Sequence, residues 1–157
     1  MDKIIWIEDR RETVLRLINH CKTMSFDVKE ISTTNKLADE LEADQKKNNI
    51  KLIIIDIMLY SVQSLSSIGI SKVSTDNGML AGWAIIEHFL RPKEKGEYSH
   101  IPILIVSTRL LNGLARDLID EIRERKGEWI EYIEKGHSSN DKDPWIIQFK
   151  QIIEKLK

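Results

Sequence analysis

The chain has 157 residues, 41% hydrophobic and 31% charged, enough for one domain with a full core. Twenty-four basic residues against 25 acidic ones leave a net charge of −1, so no excess positive field exists to drive binding to nucleic acid or to an anionic membrane. The single cysteine, Cys21, excludes an internal disulfide and fits a reducing compartment; with no signal peptide or membrane span legible, a cytoplasmic protein is expected.

In chain order, short apolar runs alternate with helical stripes. Residues 3–7 (KIIWI) read as a strand, and residues 10–22 as a helix with Val14, Leu17, Ile18 and Cys21 on one stripe. Residues 26–31 (FDVKEI) alternate, as in a strand nearer a sheet edge. Ser32, Thr33 and Thr34 can cap a helix over 35–46 that carries Leu37, Ala38 and Leu41. Residues 51–57 (KLIIIDI) and 101–107 (IPILIVS) are apolar nearly throughout, as in central parallel strands covered on both faces. Between them, residues 79–91 carry Leu80, Trp83, Ile86 and Phe89 on a helical stripe that Arg91 and Pro92 close. Residues 110–124 carry Leu111, Leu114, Leu118 and Ile122; residues 128–134 (EWIEYIE) alternate again. The last helix, 144–156, has Asp143 to cap it and Pro144 in its first turn, with Trp145, Phe149, Ile152, Ile153 and Leu156 facing inward. The tryptophans are all expected on core positions.

Five strands alternating with five helices predict a doubly wound α/β fold over a parallel sheet, in a single domain spanning 1–157. Residues 60–78 stand apart: they are serine-rich, lack a helical stripe and far exceed the usual βα loop of about 2–6 residues. The spacing of Leu65, Ile68, Ile70 and Val73 permits a small hairpin there.

The polar residues fall at the carboxyl ends of the strands, where open parallel sheets form their crevice. Glu8 and Asp9 end the first, Asp56 the third, Ser107 and Thr108 the fourth, and Lys135 the fifth. Three clustered carboxylates call for a hard cation, and Mg²⁺ takes oxygen ligands while often bridging to phosphate. An ammonium and a hydroxyl can meet phosphate oxygens, and an aspartate in such company can attack phosphorus to give an aspartyl phosphate. Asp56 as a mere cap on its loop, or Glu8 and Asp9 as first-turn acids, are the plainer readings. His20, His88, His100 and His137 show no zinc spacing and are expected at the surface.

Taken together, IIWIED, LIIIDIML, GWAIIEHFLR, IPILIVSTR and YIEKG resemble the receiver domain of bacterial two-component response regulators over roughly residues 3–156. The resemblance implies a CheY-like, flavodoxin-like sheet of order 2-1-3-4-5 with helices on both faces. It implies Asp56 as phospho-acceptor, served by Ser107 and Lys135. It implies Mg²⁺ held by Glu8, Asp9, Asp56 and the backbone carbonyl of Met58. Tyr132, with Ser107, falls on the family's switch positions. A sensor histidine kinase or phosphotransfer protein would supply the phosphoryl group, and the face of the fourth helix, fifth strand and fifth helix would meet a downstream protein or a second copy. Such a domain catalyses only its own phosphotransfer and dephosphorylation.

Three features depart from the family pattern. Tyr60 and Gly136 stand where proline is common, and Gly82 follows Asp56 by 26 positions (82 minus 56), several times the usual gap. The long gap motivates an alternative, a receiver-like interaction module that needs no phosphate. A small Mg²⁺-dependent hydrolase is a third class, but Met58 occupies the place where haloacid-dehalogenase-type phosphatases carry their second aspartate, the acid/base group.

Overall fold

The computed structural model describes residues 1–33, 37–46, 48–59, 81–108, 113–136 and 140–157. The expected long loop and hairpin of 60–78, with Tyr60, therefore lie outside the described residues, as do Leu80, Leu111, His137 and the side chain of Leu114.

Five strands, β1 (Lys3–Ile7), β2 (Asp27–Ile31), β3 (Ile50–Ile55), β4 (Ile103–Ser107) and β5 (Ile130–Glu134), form one parallel sheet of order β2-β1-β3-β4-β5. The helices are α1 (Leu15–Thr23), α2 (Leu37–Gln45), α3 (Ala81–Ile85, continued as a π-helical turn over Ile86–Leu90), α4 (Gly113–Glu124) and α5 (Pro144–Lys155). The two-residue period of the strands sorts the core into two layers. Ile5, Ile7, Ile53, Ile55, Ile103 and Ile105 pack with α2, α3 and α4. Ile4, Trp6, Leu52, Ile54, Leu104 and Val106 pack with α1 and α5, where Trp6 meets Phe149 with ring centroids 5.6 Å apart. The isoleucine-rich texture of β3 and β4 is thus the signature of strands covered on both faces, and the mixed burial of β2 and β5 marks the edges.

Several local expectations need correction. The first helix does not run unbroken from residue 10: a 3-10 turn over Arg11–Thr13 precedes it, and Val14 leaves the helical region at φ −126°, ψ 9°. Asp143 holds the extended backbone of an N-cap, yet its side chain makes no capping bond; its carbonyl accepts from Ile146 N and Ile147 N. Trp129 is 42% exposed and so leaves the core, while Trp83 and Phe89 are only half-buried because Ala84, Ile85, Ile86 and Leu90 take the inner face. His20 is half-buried, whereas His88 and His100 are exposed.

Arg91 does more than close its helix. It is buried at 1% exposure, and its guanidinium donates to the carbonyls of Leu90, Tyr98, Ile101 and Trp129. Burial lowers its pKa to about 10, opposed by the nearby Glu128 carboxylate. Drawing this residue inward accompanies the π turn, in which Arg91 N donates to Ile86 O five residues back.

A second unforeseen anchor is Asp44, 2% exposed on α2. Its carboxylate accepts from Lys3 Nζ at 2.6 Å and Lys29 Nζ at 2.9 Å, tying α2 to β1 and β2. Burial pushes its pKa up, but the two ammonium groups outweigh burial and hold it below the usual carboxylate value. The stabilisation is therefore present above the unfolded pKa of about 3.9 and disappears as pH falls through the lower folded value. Asp44→Asn should cost about 2 kcal/mol at pH 7 in urea unfolding. The gap from the wild type should narrow as pH falls below about 3.9, the unfolded value.

Candidate functional site

β1, β3, β4 and β5 each deliver a polar side chain where the apolar run stops. The register extends past the strands: Asp56 N donates to Ile7 O at 3.0 Å, and Lys135 N donates to Ser107 O at 2.7 Å. Main-chain bonds thereby fix the strand ends that carry Glu8, Asp56, Ser107 and Lys135 on one rim.

Asp56 is 5% exposed, and both of its carboxylate oxygens are held. Oδ1 accepts from Ser107 Oγ at 2.7 Å and from Met58 N at 3.0 Å; Oδ2 accepts from Lys135 Nζ at 3.2 Å. Lys135, 8% exposed, also donates to Glu8 Oε2 at 3.2 Å and to Thr13 Oγ1 at 3.2 Å. Glu8 in turn accepts from Arg10 N at 3.1 Å through its other oxygen. One buried ammonium thus stands between two buried carboxyl groups. Burial, with the Asp56 carboxylate beside it, pushes the Glu8 carboxyl up to about 8, and Lys135 offsets this only in part.

The remaining predicted residues surround this core. Asp9 is half-buried immediately after Glu8. Thr108 is exposed, its hydroxyl 3.9 Å from Met58 Sδ, so of the two adjacent hydroxyls it is Ser107 that meets Asp56. Tyr132 is half-buried against the layer formed with α4, and burial, followed by the Glu134 and Asp56 charges, pushes its hydroxyl up to about 12. Thr13 had no signal in the sequence; a lone threonine in a predicted helix carries no spacing rule.

Two glycines explain how the neighbouring chain fits. A Cβ on Gly82 would lie 2.3 Å from Asp56 O and 2.5 Å from Ile57 Cα, while Gly82 N donates to Ile57 O at 2.9 Å. Only glycine lets α3 start directly against the Asp56 backbone. A Cβ on Gly136 would stand 2.7 Å from Trp145 Nε1. The indole of α5 fills the space where a side chain would stand, a steric account of glycine at that departure from the family pattern.

Electrostatically the rim is short of positive charge, with one ammonium for two buried carboxyl groups. Among the described residues no three His, Cys, Asp or Glu side chains already converge on one point. Mg²⁺ does not require that, since it keeps several waters and is commonly held by one or two carboxylates plus a phosphate. The all-oxygen donor set around Glu8 and Asp56 suits such a hard cation and does not suit zinc.

No family model matches the chain, and no curated protein matches it in sequence. Solved structures do. A signal receiver domain of a DNA-binding response regulator from Colwellia psychrerythraea is 14% identical, with 99% of this chain and 98% of that one covered at a TM-score of 0.58. The fold is that of response-regulator receiver domains. A CheY-like receiver domain from Methylobacillus flagellatus is 15% identical, covering 100% and 99% of the two chains at a TM-score of 0.53. A structure of the CheA3 P1 domain in complex with CheY6 from R. sphaeroides matches at 15% identity, with 98% and 97% covered and a TM-score of 0.50. Among the described residues no helix is long and apolar enough to cross a membrane.

The close approach at Gly82 gives a direct check. Gly82→Ala should displace the Asp56–Ile57 backbone and destabilise the chain by about 3 kcal/mol, read as a lowered urea midpoint. Gly113→Ala, where an added Cβ meets nothing within 4 Å, should not lower it.

Proposed function

We propose that the chain is a phosphoryl-accepting signalling switch, with Asp56 as the acceptor. The observation that carries this reading is the Asp56 carboxylate held at the sheet rim by a hydroxyl, a backbone N–H and an ammonium (2.7, 3.0 and 3.2 Å), all groups that can meet phosphate oxygens. The donor would be a phosphohistidine on a sensor histidine kinase or phosphotransfer protein. The complex of the CheA3 P1 domain with CheY6 among the similar structures is consistent with that choice.

In the reaction an Asp56 carboxylate oxygen attacks phosphorus. The new O–P bond forms as the N–P bond to the imidazole breaks, and the imidazole nitrogen keeps the bonding pair. The protein's part is positioning and charge neutralisation. Ser107 donates to one phosphoryl oxygen, and Lys135 supplies a positive charge already beside Asp56. Glu8, Asp9, Asp56 and the Met58 carbonyl would hold Mg²⁺, which would supply the remaining charge neutralisation. Tyr132 lies between the site and α4, so a rearrangement around Ser107 would reach the face formed by α4, β5 and α5. A downstream protein or a second copy of the chain docks on that face. The chain works in the cytoplasm and turns over no substrate other than its own acyl phosphate.

Intact-mass spectrometry with acetyl phosphate and Mg²⁺ should show one phosphoryl adduct per chain. Asp56→Asn should abolish it, and Lys135→Ala should slow its formation by at least about a hundredfold, the scale set by removing one preorganised charge-stabilising group. An adduct retained in Asp56→Asn would overturn the reading.

A further inference from the structure

The third ligand of the Lys135 ammonium lies outside the acidic pair. An ammonium has three N–H donors. In Lys135 they meet Glu8 Oε2, Asp56 Oδ2 and Thr13 Oγ1, each at 3.2 Å. The Thr13 hydroxyl is itself oriented, because it donates to Arg10 O at 2.8 Å and so turns its lone pairs toward Lys135. The backbone enforces this placement: Thr13 closes the 3-10 turn, with Thr13 N donating to Arg10 O at 3.0 Å, and α1 begins only at Leu15. Thr13 is exposed and absent from both core layers, so packing does not explain the arrangement.

We propose that Thr13 is a positioning residue for the phosphotransfer: its hydroxyl fixes the third donor of Lys135 and so keeps the ammonium aimed at Asp56. Left with two carboxyl acceptors, the flexible lysine stem could turn about them and spend part of its time directed at Glu8 alone. The inference rests on Asp56 being the phospho-acceptor. A hydroxyl is the chemistry required here, since it can accept from the ammonium without adding a further carboxyl group to a rim that already carries Glu8, Asp9 and Asp56.

Thr13→Val keeps the shape and removes the hydroxyl; Thr13→Ser keeps the hydroxyl. With Mg²⁺ and a concentration series of acetyl phosphate, the maximal rate of adduct formation should fall at least about tenfold in Thr13→Val, as expected for one lost hydrogen bond to a charged group. The half-saturating acetyl phosphate concentration should not change, and Thr13→Ser should recover the rate to within about twofold. The ¹⁵N signal of the Lys135 ammonium, sharpened in the wild type by its three held protons, should broaden in Thr13→Val and return in Thr13→Ser. Wild-type rates and an unchanged ammonium signal in Thr13→Val would overturn the inference, as would a serine variant as slow as the valine one. If the wild type itself takes no phosphoryl group, the reading of Asp56 fails and the inference with it; a phosphorylated wild type with an unaffected valine variant defeats the inference alone.

Discussion

A buried carboxylate must be compensated, and the Lys135 ammonium is what compensates Asp56. Removing an ionised carboxylate from water without a partner costs several kcal/mol, more than a domain of this size can spare at one position. Lys135 lies 3.2 Å from both Asp56 and Glu8, with Ser107 and the Met58 amide on the other oxygen of Asp56. The compensation is incomplete, since Glu8 is pushed up to about 8 by burial and by Asp56. The rim therefore holds one ammonium against two buried carboxyl groups.

The architecture serves this arrangement. β3 and β1 are neighbours, as are β3 and β4, so Glu8, Asp56 and Ser107 come from adjacent strand ends. β5 sits beside β4, and Lys135 N bonds to Ser107 O, so the lysine reaches back across from the sheet edge. In a parallel sheet every strand delivers its carboxyl end to the same side, which is why residues as far apart as Glu8 and Lys135 meet. The isoleucines of β3 and β4 hold that rim rigid from both faces, and Gly82 allows α3 to start against the Asp56 backbone.

What could be read from the sequence divides along physical lines. The strands and their order of burial were legible because a parallel strand covered on two faces has to be apolar throughout, as in LIII of β3. The rim residues were legible because the last residue of each apolar run marks where the strand meets solvent. Arg91 reads as a helix terminator because nothing in a linear pattern distinguishes a solvated arginine from one whose guanidinium is spent on the backbone carbonyls of Tyr98, Ile101 and Trp129. Asp44 and Thr13 escaped for the same reason: their roles are set by partners 41 and 122 residues away in the chain. The hydrophobicity of Trp129 suggests a core position, whereas its place just before edge strand β5 leaves it 42% exposed.

The proposed function turns on Asp56 taking a phosphoryl group within reach of Ser107 and Lys135. A crystal structure of the chain with Mg²⁺ and beryllofluoride tests it most directly. If Asp56 is the phospho-acceptor, a tetrahedral adduct should stand on its carboxylate oxygen, contacted by Ser107 Oγ and Lys135 Nζ, with the cation on the Glu8 side of the rim. Beryllofluoride absent from Asp56 at saturating concentration, with Lys135 still bridging Glu8 and Asp56, would contradict it.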